Sequence, residues 1–399
     1  MNQNTHRLDQ KAPHILTLII MSSFASMGAV IFTPALPEIA NYFGISQGMS
    51  QLTITLFLLG YALGQLIYGP LANYYGRKKA FYIGIVIATI GTIISIVSEP
   101  LNSFGFLITG RMLEALGSSA GLVISFTIVN DHYYPTQARK IIAYMMLAFA
   151  VVPGIATMVG GILVSSFHWI SCFYFLLVYG LLIGIPVSRL HETATTLDKT
   201  AFQMPKIKYN YLLAFKNARL RNTTLFLGLT SMSVYIYAST APFIAIHNLH
   251  VPPARYGLIG LIPYIGTAVG AIVSAQLAKS WAAKNLIKMG WIFEAIATAL
   301  LTGLFCFNFI NLVTIIGCGF IFMFGGCLIV SNAASIATSA IEDKASASAV
   351  MNFMNVGMAV CGTFILAFLP GSATLKLPML FVVAMLIMCV LWRKLDIGG

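Results

Sequence analysis

Apolar runs of about 20 residues recur along the whole chain and limit its possible folds more than any other feature. A helix rises 1.5 Å per residue, so one such run crosses the ~30 Å hydrocarbon layer of a bilayer. Strands of a membrane barrel would instead alternate in polarity over about 10 residues. The sequence therefore predicts an all-α integral membrane protein with about twelve helices, near residues 14–36, 49–72, 80–98, 103–130, 140–166, 169–189, 222–246, 255–278, 286–306, 310–336, 346–369 and 375–392.

The composition agrees with a membrane protein and argues against a nucleic-acid binder. Only 9% of the 399 residues are charged and 58% are hydrophobic, whereas a soluble domain has about 25% charged residues. The net charge of +12 comes from basic residues in short gaps between the apolar runs, without interleaved aromatic residues that could stack on bases. We therefore expect a lipid bilayer, and no nucleic acid, as a partner.

The positions of lysine and arginine predict how the chain lies in the membrane. With the N-terminus in the cytoplasm, Arg7, Lys394 and most other basic residues fall on the cytoplasmic side, and only Arg111, Arg255 and Lys376 of the 23 do not. Basic residues accumulate in cytoplasmic loops of membrane proteins. The sequence therefore predicts a multi-pass protein of a bacterial-type inner membrane with both termini in the cytoplasm.

One long polar stretch divides the chain after six predicted helices. We predict an N-terminal six-helix half at residues 1–190, a cytoplasmic linker at 191–220 and a C-terminal six-helix half at 221–399. A weak repeat between residues 71–78 and 277–284, each after the second helix of its half, supports a duplication. Two parallel six-helix halves around a central site are the architecture of many secondary transporters.

Two charged residues, Arg111 and Glu114, interrupt the fourth apolar run. A charge at membrane depth costs about 2.5–3.5 kcal/mol and needs a partner or a water-filled cavity. Glu114 follows the outer end of its helix by about ten residues, or ~15 Å, which places it near the midplane. We expect Glu114 to bind the coupling proton or a cationic substrate and Arg111 to modulate it. The alternatives are an i,i+3 pair that only stabilises the helix and direct binding of a carboxylate substrate by Arg111.

Other polar or aromatic residues at membrane depth are candidates for the wall of a central cavity. Glu294, in the ninth run, is a secondary acid whose alternatives are transport chemistry and a structural hydrogen bond. The cavity candidates, for which packing and interhelical hydrogen bonds are the alternative, are Phe57, Tyr61, Tyr235, Tyr237, Asn332, Asn352 and Asn355. Metal-binding spacings, nucleotide-binding loops and catalytic motifs are absent from the sequence, so we expect neither an enzyme nor a metal or cofactor.

The loop after the second helix carries the first family resemblance. Residues 69–79 read GPLANYYGRKK, which resembles the signature loop of the major facilitator superfamily, with Gly69, Gly76 and Arg77 in register. The family's aspartate is Asn73 here. The resemblance implies a charge cluster that latches the cytoplasmic side, and Asp131 at the end of the fourth helix could pair with Arg77.

Three further stretches resemble the Bcr/CflA-like drug:proton antiporters within that superfamily. They are PALP at 34–37, RMLEALGSSAG at 111–121 and YASTAPF at 237–243. The resemblance implies a transporter that exports a small organic molecule such as a drug or metabolite by alternating access and uses the proton as its coupling ion. We expect the protein to act as a monomer.

The chain departs from this pattern at several positions. The acid expected in helix 1 is absent, and Glu114 stands where glutamine is usual. In helix 5 the family's glycine and proline motif remains as Pro153-Gly154 and Gly160-Gly161, which predicts a flexible helix. Two other functions therefore stay open. One is transport of an anionic metabolite or polycarboxylate siderophore anchored by Arg111, and the other is a membrane sensor or receptor that no longer transports.

Overall fold

The computed structural model describes residues 12–194, 197–199, 204–341 and 344–393, and its regular structure is helical throughout these ranges. Twelve helices are long and apolar enough to cross a membrane, as predicted. They are called spans 1 to 12 and cover Ile15–Tyr42, Gln47–Tyr75, Arg77–Val97, Phe104–His132, Lys140–Ser166, Ser171–Ser188, Ala218–Asn248, Pro253–Leu277, Ala283–Cys306, Leu312–Thr338, Ser346–Phe368 and Ala373–Trp392.

Span 1 is longer than the prediction that ended it at residue 36. Its helix Ile15–Val30 gives way to a 3-10 turn at Thr33–Ala35 and then resumes as a short helix, Leu36–Tyr42. Pro34 and Pro37 lie in the first turn of these two short segments, where the missing proline N–H removes no intrahelical hydrogen bond. The prolines therefore bend the end of span 1 without stopping it.

Spans 2 and 3 are joined by a single residue, Gly76, with φ +92° and ψ 159°. This backbone conformation is accessible to glycine and strained for other residues. The turn lets the next helix begin at Arg77, three residues earlier than predicted. The glycine of the signature loop is therefore required by the geometry of the turn.

Small residues allow close packing within each six-helix half. In the first half, a Cβ on Gly91 of span 3 would lie 2.7 Å from the carbonyl oxygen of Gly110 in span 4. In the second half, a Cβ on Gly290 of span 9 would lie 2.5 Å from the carbonyl oxygen of Gly325 in span 10. Membrane helices associate by such backbone contacts because apolar side chains gain little from leaving lipid. These contacts fix spans 4 and 10 against their neighbours.

The two halves contact each other through spans 2 and 11, spans 5 and 8, and spans 1 and 7. Several of these contacts lie at the far end, defined as the end of the bundle opposite residues 12 and 393. There Gly48 of span 2 packs against the carbonyl group of Ala367. Nearby, the Gln51 side-chain amide donates a hydrogen bond to the Ser239 carbonyl oxygen at 3.2 Å. The two halves are therefore in close contact at the far end.

The linker between the halves contains a helix, Met204–Lys216, within the stretch that the sequence marked only as polar. The boundaries of the halves at residues 190 and 221 stay a prediction. Arg7 and Lys394, which contribute to the predicted orientation, lie outside the described residues.

Candidate functional site

Arg111 and Glu114 of span 4 form a buried ion pair. Arg111 Nη1 lies 2.7 Å from Glu114 Oε2, and the two side chains are 0% and 3% exposed. The i,i+3 spacing places both groups on one face of the helix. The two charges thus compensate each other in a region that water barely reaches.

Spans 1 and 2 supply the nearest partners of Arg111 outside its own helix. Its Nη2 donates a hydrogen bond to the carbonyl oxygen of Gly28 at 2.8 Å. The guanidinium carbon lies 4.0 Å from the ring centroid of Phe32 and 4.3 Å from that of Phe57. Aromatic faces at these distances attract a cation. Phe57, a cavity candidate in the sequence, is therefore a wall of the ion-pair site and only 1% exposed.

Glycine residues make room for this pair. A Cβ on Gly28 would lie 2.7 Å from Glu114 Oε1 and 3.3 Å from the Phe57 ring, and a Cβ on Gly91 would collide with the backbone of Glu114. The sequence reasoning missed Gly28 and Phe32. Gly28 lies in the helix Ile15–Val30 and Phe32 in the turn that follows it, and only the fold brings both onto span 4.

Glu294 of span 9 is the second fully buried acid. Thr230 of span 7 donates a hydrogen bond to Glu294 Oε2 at 3.3 Å, and Oε1 has no hydrogen-bond partner among the described residues. In the described part of the chain no basic side chain lies within ion-pair distance of Glu294, in contrast to Glu114. The hydrogen bond joins spans 7 and 9 within the second half.

Two of the cavity candidates have partners within the second half. The Tyr237 hydroxyl donates to the Ile315 carbonyl oxygen at 3.2 Å and so ties span 7 to span 10. The Asn332 amide donates to the Ser274 hydroxyl at 2.9 Å and so ties span 10 to span 8. These are the interhelical hydrogen bonds that the sequence left as an alternative.

The remaining cavity candidates lie on the spans that join the halves. Tyr61 of span 2 is 6% exposed, and Tyr235 of span 7 is half-buried. Asn352 and Asn355 of span 11 are half-buried as well, and Asn355 Oδ1 has no hydrogen-bond partner in the described ranges. Of the seven candidates, one lies in the ion-pair site and two form interhelical hydrogen bonds. The other four lie on spans that contact the other half.

The signature loop forms a charged cluster at the end of the bundle opposite the far end. Arg77 Nε lies 2.7 Å from Asp131 Oδ2, which is the pairing suggested by the sequence. Glu192 accepts hydrogen bonds from the backbone N–H groups of Arg77 at 2.9 Å and Lys78 at 3.1 Å. Asn73 contributes its carbonyl oxygen, which accepts from the Asp198 N–H at 3.0 Å.

Glu192 was missed by the sequence reasoning, although it is an acid just after span 6. Its carboxylate binds free N–H groups at the start of span 3, where the helix dipole favours negative charge. We predict that Glu192→Ala lowers the free energy of unfolding by about 0.5–2 kcal/mol, the usual loss for a helix N-terminal cap. Thermal unfolding in detergent measures this effect. His191→Ala, an exposed neighbour, is the control and should change little; equal stability of both variants would contradict the prediction.

The helix 5 motif places span 5 between spans 1 and 8. Gly160 packs against the carbonyl group of Ile31 in span 1, and a Cβ on Gly161 would lie 2.9 Å from Cα of Gly257 in span 8. About two turns before Gly161, a Cβ on Gly154 would lie 2.9 Å from Cβ of Tyr264 in span 8. The helix continues through Pro153. The predicted flexibility of this helix stays a prediction.

Comparison with known proteins assigns the fold and the family. The family model described as Major Facilitator Superfamily matches residues 18–363. The bicyclomycin resistance protein homolog of Haemophilus influenzae is 24% identical over 73% of this chain and 71% of its own length. The chloramphenicol resistance protein CraA of Acinetobacter baumannii is 22% identical over 69% of this chain and 66% of its own.

A solved structure of a D-xylose–proton symporter has the same fold. It superimposes with a TM-score of 0.76 at 14% sequence identity and covers 94% of this chain and 96% of its own. The family match, these relatives and the twelve membrane spans define a multi-pass membrane transporter, not an enzyme. The chain belongs to the Major Facilitator Superfamily.

Proposed function

We propose that this protein exports a small organic molecule across a bacterial inner membrane in exchange for protons, and that Glu114 is the proton-binding residue. One observation carries the proton assignment. Glu114 is the only member of the buried pair that keeps accessible surface, 3% of its side chain against 0% for Arg111. Because a guanidinium stays protonated in proteins, the carboxylate is the group of the pair that can take up a proton, and Arg111 is the group whose interactions then change.

Protonation of Glu114 changes the balance of charge around Arg111. The arginine would keep its hydrogen bond to the Gly28 carbonyl and its contacts with Phe32 and Phe57, but its charge would lose its counterion. A buried charge without a partner is costly. Protonation therefore favours whichever arrangement of spans 1, 2 and 4 gives Arg111 a new acceptor. A proton drives the conformational equilibrium only through such a difference between two states.

The distribution of lysine and arginine supports the proposed orientation of the protein in the membrane. With both termini in the cytoplasm, the far end lies on the outer side of the membrane. The close contacts of Gly48 and Gly161 at that end then describe a state that is closed to the outside. Relatives named for resistance to bicyclomycin and chloramphenicol support small antibiotics as the first compounds to test.

Proteoliposomes with and without a pH gradient test this proposal. Wild-type protein is expected to move chloramphenicol or bicyclomycin faster when a gradient is imposed. Glu114→Gln should reduce this rate to the value without a gradient, because the amide cannot exchange a proton. Glu294→Gln is the matched control and should retain the response to the gradient, since we assign Glu294 a structural role.

The outcomes separate the parts of the proposal. Full gradient-driven transport by folded Glu114→Gln protein would remove Glu114 as the proton site. If Glu294→Gln loses the response to the gradient and Glu114→Gln keeps it, the proton-binding residue is Glu294 in span 9. Ligand binding without flux by the wild-type protein would favour the sensor function.

A further inference from the structure

A cavity of about 410 Å³ lies between the start of span 1 and the end of span 6, at the end of the bundle that holds the signature loop. Its wall comes from two short stretches of the chain, within residues 12–20 and 186–191. We call it the span 1/6 cavity. The Tyr133 hydroxyl of the first half donates to the Pro13 carbonyl oxygen at 2.8 Å and fixes the start of span 1. Its volume is within the ~300–1,000 Å³ of ordinary ligand sites.

Three nitrogen-bearing side chains line the mouth of the span 1/6 cavity. His14 directly precedes span 1, and Arg189 and His191 directly follow span 6. All three are exposed, and none of their side chains has a hydrogen-bond or ion-pair partner among the described residues. Arginine offers a planar fork of donors that matches a phosphate group, and each imidazole offers at least one N–H. The mouth therefore presents unused donors that suit an anion.

Negative groups near the mouth are either absent from the wall or already bound elsewhere. The described lining of the cavity contains no acid. Glu192, the next residue along the chain, accepts hydrogen bonds from the backbone N–H groups of Arg77 and Lys78. The Lys78 ammonium group donates to the carbonyl oxygens of Ser188 at 2.6 Å and Leu190 at 3.1 Å. The carbonyl groups at the end of span 6 thus have a cation of their own, and the donors at the mouth do not.

The wall changes from polar to apolar with depth. Leu16 and Ile20 line the cavity from span 1, and their four-residue spacing puts them on one helix face. Leu16 is 59% exposed, and Ile20 lies ~9 Å further along the helix than His14. A soluble anion could use only the mouth of this site. A phospholipid, whose phosphate lies at the ends of the spans and whose chains lie beside them, could use both parts.

We propose that the span 1/6 cavity binds one phospholipid of net negative charge, with its phosphate at His14, Arg189 and His191 and an acyl chain along Leu16 and Ile20. Basic pockets between membrane helices on the cytoplasmic side are suited to anionic head groups, and this end faces the cytoplasm in the predicted orientation. The lipid would connect spans 1 and 6 at their ends. The proposal does not depend on the proposed transport function, because it concerns binding at the surface of the first half.

Native mass spectrometry of the full-length protein, delipidated in detergent and titrated with lipid, tests this site. The probes are phosphatidylglycerol and phosphatidylcholine with identical acyl chains, so that they differ in net charge but share the phosphate. We expect one phosphatidylglycerol to bind at least about fivefold more tightly than phosphatidylcholine, the effect of about 1 kcal/mol for one basic side chain near an anionic lipid. Excess inorganic phosphate at constant ionic strength should leave this lipid bound, because it cannot contact the apolar part of the wall.

Substitutions at the mouth test the location of the site. Arg189→Gln should weaken phosphatidylglycerol binding about fivefold, and the triple variant His14→Gln/Arg189→Gln/His191→Gln should weaken it more. Arg393→Gln is the matched control and should leave binding unchanged. Arg393 is exposed and directly follows span 12, as Arg189 follows span 6, but it does not line the cavity. All of these side chains are exposed, so thermal unfolding without added lipid should match that of the wild type.

Three results would overturn the proposal. One is equal binding of phosphatidylcholine and phosphatidylglycerol, which would show that the site does not select negative charge. Another is displacement of the lipid by inorganic phosphate, which would make the mouth a site for a free anion. The third is equal weakening by Arg189→Gln and Arg393→Gln, which would show a general attraction of interfacial arginines for anionic lipid. None of these results affects the test of proton coupling, which measures flux with and without a pH gradient.

Discussion

Glu114→Ala is expected to lower the free energy of unfolding by about 3–5 kcal/mol, the loss that follows removal of one member of a buried ion pair. Arg111 would remain 0% exposed with one hydrogen bond, to the Gly28 carbonyl oxygen, and three aromatic contacts, with Phe32, Phe57 and Phe173. These groups attract the guanidinium but do not neutralise its charge. Thermal or denaturant unfolding of purified protein in detergent measures the effect.

The double variant Arg111→Met/Glu114→Leu is the control for this prediction. Both replacements are apolar and similar in length to the native side chains, and the stability should return close to that of the wild type because no buried charge remains. Arg111→Met alone should also be unstable, since it leaves the Glu114 carboxylate without its cation. A Glu114→Ala protein as stable as the double variant would show that Arg111 is solvated in the folded state.

The same pair shows which parts of the site could be predicted from sequence. Its i,i+3 spacing and its position inside an apolar run gave an ion pair at membrane depth as one of the alternatives. Gly28 and Phe32 could not be found in this way, because their roles depend on how span 1 crosses span 4. Local spacing determines neighbours along one helix, whereas contacts between helices depend on the packing of the whole bundle.

The fold was more predictable than the site because membrane insertion imposes a simple rule on length and polarity. Twelve runs of sufficient length gave twelve spans. The sequence analysis ended span 1 at residue 36, whereas the chain resumes a helix that reaches Tyr42, because Pro34 and Pro37 occupy first-turn positions. Likewise, Tyr235 and Tyr237 are two residues apart and so face different sides of their helix, but only the structure shows that the Tyr237 hydroxyl donates to the Ile315 carbonyl oxygen in span 10.

The second large effect is expected from Gly161→Val at the far end. Gly161 lies against backbone atoms of Pro253 and Gly257 at the start of span 8, and a Cβ would lie 2.9 Å from Cα of Gly257. Backbone atoms cannot rotate away as a side chain can, so spans 5 and 8 must separate. Overpacking of this kind costs about 1–3 kcal/mol. The equilibrium should therefore shift roughly 5- to 150-fold toward states in which the far end is open.

Distance measurements between spin labels at Ser166 and His250 test this shift. Both positions are exposed, and they lie at the far end on opposite halves. The labels require a background without the six free cysteines that still transports. Gly161→Val should move the distance distribution to longer values, while Gly303→Val should not, because a Cβ at Gly303 has no atom within 4 Å. If both variants keep the wild-type distribution, the glycine contact does not control closure. If only Gly161→Val opens the far end, the contact between spans 5 and 8 is the part of the junction that must break when the transporter opens to the side opposite its termini.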